Sequence, residues 1–155
     1  MTVDYIASAR RHLKDARILL VEQRQANAGQ LLGFSVECGL KAMLLACGIA
    51  PDEDGGVPAA TQAPGGKANK KSSYREHMPL LNNKITSLGN LLPDGQRAIH
   101  YHAMLPNIGL MEDWSVNHRY WKDEKIKHDW VQNWLLAANE TNQMLDHAIV
   151  DGVMT

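Results

Sequence analysis

Apolar residues recur every three or four positions in five separate stretches, and no stretch shows convincing strand alternation. Those two observations point to an all-α bundle of five helices, some of them broken. The chain has 155 residues, 45% hydrophobic and 21% charged, which fits one soluble domain (1–155) able to bury its own core.

The first helix is read over 3–25, where Ile6, Ala9, Leu13, Ala16 and Leu20 form one apolar stripe. Arg10, Arg11, Lys14 and Arg17 share the remaining surface with Asp15 and Glu22. "ANAGQ" offers a break at Gly29. A second helix is read over 28–47, apolar on nearly every side through Leu31, Leu32, Phe34, Val36, Leu40, Met43, Leu44 and Leu45. Such a helix is central, contacted all round by others. Gly33 and Gly39 are poor helix formers, and close helix–helix approach is a reason to keep them. Gly48 and Pro51 stop the helix.

Residues 48–73 are rich in glycine, proline, alanine and small polar residues and show no period. They read as a long flexible loop, either a functional flap or a tolerated insertion, made locally basic by Lys67, Lys70 and Lys71. A third helix is read over 75–89, with Pro79 in its first turn, Leu80, Leu81, Ile85 and Leu88 as its stripe and Gly89 as its end. A fourth is read over 94–112, kinked or broken near Leu105 by Pro106. "EDWSVNHRYWKD" reads as a connecting loop. The last helix is read over 124–149, with Ile126, Trp130, Trp134, Ala137, Thr141, Leu145 and Ala148 on one face.

Two charges stand inside the most apolar stretch, Glu37 and Lys41. Four apart with the glutamate first, they lie on one helical face in the favourable order for a pair. They serve either as a salt bridge at the edge of the core or an interface, or as the lining of a cleft. Cys38 and Cys47 point to opposite sides of their helix, too far apart for a disulfide. They read as buried free thiols of a reducing cytoplasm.

Several functions find no support. The net charge is −1, so no global basic field attracts nucleic acid, and any such binding uses a local patch. None of the seven histidines are four apart, so no helical zinc pair exists and no metal site is expected. There is no Walker A loop, GxGxxG or GxSxG, and no cofactor is implied. The start of the chain lacks the apolar core of a signal peptide, and Glu37 and Lys41 break the longest apolar segment, so neither secretion nor a membrane span is expected. Trp114 and Trp121 flank Asn117, His118, Arg119 and Tyr120. That aromatic loop suits stacking on a base beside a phosphate, and equally suits packing back on the bundle or a dimer interface.

Together these motifs carry a resemblance. "GQLLGFSVECGLKAMLLACGI" with Glu37, Leu40, Lys41, Ala42 and Gly48, then "HMPLL" with His77, Leu80 and Leu81, then "HRYW" with Arg119 and Tyr120, resemble the HEPN domain family (higher eukaryotes and prokaryotes nucleotide-binding). The first helix, with Tyr5 and Ala9, fits as well, and the order spans roughly residues 3–145.

The resemblance implies an antiparallel four- to five-helix bundle, often a homodimer, with 48–73 as a variable loop between helices 2 and 3. It implies that Glu37 and Lys41 turn towards the loop carrying Arg119 and Tyr120, beside the dimer cleft, with His77 in the same binding region. It also implies a domain that binds nucleotide or RNA in a toxin–antitoxin or defence setting, with a nucleotidyltransferase as a possible partner protein. Some family members are metal-independent ribonucleases with an Arg, four to six residues, then a His. Arg119 and His128 are too far apart, with eight residues between them, whereas Arg97 and His102 have four between them. Ala98 replaces the polar residue usual after that Arg. A ribonuclease using Arg97 and His102 is the alternative, and a non-catalytic dimeric interaction module is a third.

Overall fold

The computed structural model describes residues 1–59, 74–88 and 92–155. Among them the chain forms five α-helices and no strand: α1 (Tyr5–Val21), α2 (Gln25–Ala46), α3 (Leu80–Leu88), α4 (Gly95–His102) and α5 (His128–Val150). Three short 3₁₀ turns, Ile108–Met111, Val116–Tyr120 and Asp123–Lys125, connect α4 to α5.

α1 starts on Asp4, whose side chain accepts from the Ala7 amide at 2.8 Å and satisfies a free helix-end donor. It stops at Val21, earlier than expected, because Gln23 adopts a left-handed backbone at φ 58° and turns the chain into α2. The break therefore precedes Gly29, which lies inside α2. A methyl group on Gly29 would stand 2.8 Å from the Trp134 ring, so this glycine serves close packing rather than chain reversal.

α2 is central, as its all-round apolarity predicts, with Leu32, Val36, Leu40, Met43 and Leu44 fully buried. Ser35 donates to the Ala9 carbonyl at 2.8 Å and ties α2 to α1. A methyl on Gly33 would enter the Trp114 ring, and one on Gly39 would stand 2.1 Å from Thr141 Cγ2 on α5. Both glycines thus permit the close approach expected of them. α5 runs antiparallel to α1: Arg10 pairs with Asp146 at 2.5 Å and Arg17 with Asn139 at 2.7 Å. It runs alongside α2 in the same direction, since Gly29 meets Trp134 and Gly39 meets Thr141. Three long helices carry the core, and the short α3 and α4 lean on α2.

The expected third and fourth helices are shorter in the structure. Residues 74–77 are non-helical, and α3 begins after Pro79. α4 ends at His102, four residues before Pro106, whose ring would clash with the His102 carbonyl in a continuing helix. The turn that follows is pinned to α5 by Asn107, whose amide and side chain both donate to Glu140. The last helix begins at His128 rather than 124, because Ile126 and Lys127 are extended.

Part of the segment expected to be an unanchored loop is held down. Asp52 accepts from the amides of Asp54 and Gly56 and pairs with Arg75. The Val57 amide donates to the Tyr5 hydroxyl at 3.1 Å, and the Val57 side chain is buried. Backbone amides, the Asp52 carboxylate and the buried Val57 side chain together anchor residues 52–57. Residues 60–73, with Lys67, Lys70 and Lys71, and Gly89 lie outside the described residues.

Candidate functional site

Glu37 and Lys41 sit one turn apart on α2 and are buried, 6% and 9% exposed. Lys41 Nζ donates to Glu37 Oε1 at 2.6 Å. His77 Nδ1 lies 2.8 Å from Glu37 Oε2. A carboxylate only accepts, so Nδ1 carries the proton and Nε2 is left as the ring's second polar atom. His77 is the open edge of this cluster, its side chain 54% exposed. The two carboxylate oxygens thus serve two different partners, and neither buried charge is stranded.

Phe34 extends the site along α2. Its ring lies 6.5 Å from His77, 5.9 Å from His12 of α1 and 5.7 Å, edge-on, from Trp114. His12 was not distinguishable in the sequence, where it sits among the arginines and lysine of α1. Burial lowers its pKa first, Arg11 lowers it further, and Asp15 and Glu37 oppose the shift. The cluster therefore combines a lysine, a carboxylate, two imidazoles and an aromatic face. Such a set can donate a hydrogen bond to a phosphate oxygen from the exposed imidazole and support a base on the aromatic face.

Arg119 and Tyr120 are brought together, but with each other: the guanidinium carbon lies 4.7 Å over the tyrosine ring. Tyr120 is 74% exposed. The partners that satisfy Glu37 are Lys41 and His77, the latter from the segment before α3, rather than Arg119 or Tyr120. Phe34 and Trp114 lead from the charge cluster to the start of the Val116–Tyr120 turn. Of the two tryptophans flanking that turn, Trp114 packs back into the core and donates to the Gly29 carbonyl at 2.9 Å, whereas Trp121 stays half-exposed against His118.

His118 is buried among Trp121, Trp130 and Trp134, with ring centroids 4.3, 6.0 and 5.7 Å away. Its Nδ1 has no hydrogen-bond partner among the described residues. Burial lowers its pKa, against a smaller raising effect of Asp113.

Arg97 and His102 face different neighbours. Arg97 Nη1 donates to the Ala46 carbonyl at 2.8 Å and Nε pairs with Asp94 at 3.2 Å, which fixes α4 to the end of α2. His102 Nε2 lies 3.0 Å from Asn82 Oδ1 of α3, and burial lowers its pKa. Both thiols are free, and burial pushes Cys38 and Cys47 up to about 11, well away from reactive thiolates. Among the described residues no three His, Cys, Asp or Glu side chains are grouped to hold a metal ion. No helix among them is long and apolar enough to cross a membrane.

The lowered histidines make stability pH-dependent. His12, His102 and His118 each bind a proton more weakly folded than unfolded. Below about pH 6.5, the ordinary histidine value, the unfolded chain holds more protons, so stability is full above that pH and is lost as pH falls. The melting temperature is expected to drop between pH 7.5 and 5, and to drop less in His118→Phe. An equal slope in the variant would remove His118 from the account.

No family model, curated protein or solved structure matches the chain.

Proposed function

We infer that this chain is a HEPN-like helical bundle that binds nucleotide or RNA at the α2 face. The reading rests on the Glu37–Lys41–His77 cluster. A buried ion pair contributes little net stability relative to an apolar pair of the same shape. A reason to keep one here is the half-exposed imidazole at its edge, oriented by Glu37 and flanked by Phe34. In this reading His77 meets a phosphate at the open edge, and the buried Glu37–Lys41 pair behind it orients the ring. Arg119, Tyr120 and Trp121 offer an exposed cation and stacking faces to the rest of the ligand. Homodimerisation, a nucleotidyltransferase partner and a toxin–antitoxin or defence setting come with the resemblance and belong to the same proposal.

The second reading, a metal-independent ribonuclease, draws on His102. A lowered pKa leaves its imidazole neutral at pH 7, the form that accepts a 2′-hydroxyl proton. Against it, the Arg97 guanidinium is already engaged by Ala46 and Asp94. Labelled RNA incubated with the protein in EDTA separates the two. We expect retention on a binding assay without new cleavage products, and weaker retention with Arg119→Ala, most visibly at low salt. Cleavage that persists in EDTA and vanishes in Arg97→Ala/His102→Ala would establish the ribonuclease instead.

A further inference from the structure

A second surface lies away from the α2 cluster, in a groove of about 540 Å³ between α1 and α5. Its volume falls within the range of small-ligand sites. Arg10, Lys14 and Arg17 form the α1 wall, and Asn139, Gln143 and Asp146 stand on α5. The three cations recur at four and three residues, so they lie along one helical face, about 6 and 4.5 Å apart along the axis.

Their partners divide unevenly. Arg10 is matched by Asp146, the only carboxylate among the described residues lining the groove, in a pair with side chains 49% and 62% exposed. Arg17 donates to Asn139 Oδ1 at 2.7 Å, which is a neutral acceptor. Lys14, between them, has no ion pair or hydrogen bond among the described residues. Two of the three positive charges are therefore uncompensated in a chain whose net charge is −1.

The lining also selects the kind of ligand. Leu13 is the only apolar side chain among the described lining residues and is itself buried, so an amphipathic peptide would find little to anchor its apolar face. Arginine forks fit phosphate oxygens, and the amides of Asn139 and Gln143 both donate and accept, as sugar hydroxyls and base edges require. We propose that this groove binds the phosphodiester backbone of single-stranded RNA, as a positioning surface for the strand that meets the α2 cluster. The proposal rests on the RNA-binding reading above and assigns it a second contact surface.

The test is fluorescence anisotropy with a labelled single-stranded RNA oligonucleotide, read across a salt series. The proteins are the wild-type chain, Lys14→Glu/Arg17→Glu, the milder Lys14→Gln/Arg17→Gln, and His77→Ala. Exposed substitutions of this kind leave stability nearly unchanged, and thermal melting checks it. We expect the charge-reversal variant to lose at least about tenfold in affinity and to flatten the log–log salt slope by about two, one for each lost phosphate contact. The glutamine variant is expected to fall between it and wild type.

Unchanged affinity and slope in both groove variants, with binding lost in His77→Ala, would overturn the groove and leave the α2 site standing. Loss in the groove variants alone would keep the groove and overturn the α2 site. No RNA binding by the wild-type chain at low salt would overturn both. Displacement of the RNA by poly-glutamate at equal charge as readily as by unlabelled RNA would overturn the phosphate assignment in favour of an acidic protein segment.

Discussion

Glu37→Ala is expected to destabilise the fold by about 3–5 kcal/mol, because it leaves the Lys41 ammonium buried without its carboxylate. Lys41 is 9% exposed and its Nζ lies 2.6 Å from Glu37, so water does not readily replace the lost partner. Lys41→Met is expected to cost less. The carboxylate left behind still accepts from His77 Nδ1 at 2.8 Å, at the open edge of the cluster. Replacing both, as Glu37→Leu/Lys41→Met, removes the charges together and is expected to be neutral or stabilising by about 1–4 kcal/mol. Urea denaturation of the three variants gives the order. A Glu37→Ala protein as stable as wild type would mean that the pair is solvated, contrary to its burial.

Gly33→Ala is the second large effect. The added methyl would stand 1.9 Å from Trp114 Cε2 and 2.3 Å from its Nε1. The indole cannot simply withdraw, since it is 1% exposed and donates to the Gly29 carbonyl one turn away. Overpacking is worth about 1–3 kcal/mol. Loss of that buried hydrogen bond adds about 1–3 kcal/mol. A methyl at Gly109 meets nothing within 4 Å, and Gly109→Ala is expected to shift stability by only about 0.5 kcal/mol. Equal denaturation midpoints for the two variants would contradict the seating of Trp114 against α2.

Much of this frame is legible in periodicity. The stripe of Ala9, Leu13 and Ala16, the all-round apolarity of α2 and the face of α5 from Trp134 to Ala148 are local patterns, and each is buried as expected. The Glu37–Lys41 pair is legible for the same reason, because helical spacing alone brings it together. His77 enters only through the resemblance, since it reaches Glu37 across 40 residues of chain and no local pattern shows that meeting. His12 and Phe34 are hidden likewise, because their closeness arises from the packing of α1 on α2. Proline and glycine misplaced several boundaries. Pro106 acts on the carbonyl four residues earlier, so α4 ends at His102, and Gly29 packs against Trp134 where a chain break was expected. The anchoring of residues 52–57 was invisible because backbone amides and Asp52 carry much of it, and a lone Val57 shows no apolar period.

The central claim is that a buried charge pair is retained on α2 because it serves a ligand. RNA binding by Glu37→Leu/Lys41→Met tests it most directly, measured by anisotropy on protein first shown by urea denaturation to be at least as stable as wild type. The account predicts a folded protein whose affinity for single-stranded RNA falls at least about tenfold, the equivalent of 1.4 kcal/mol. Wild-type affinity in that variant would contradict it and return the pair to a purely structural role.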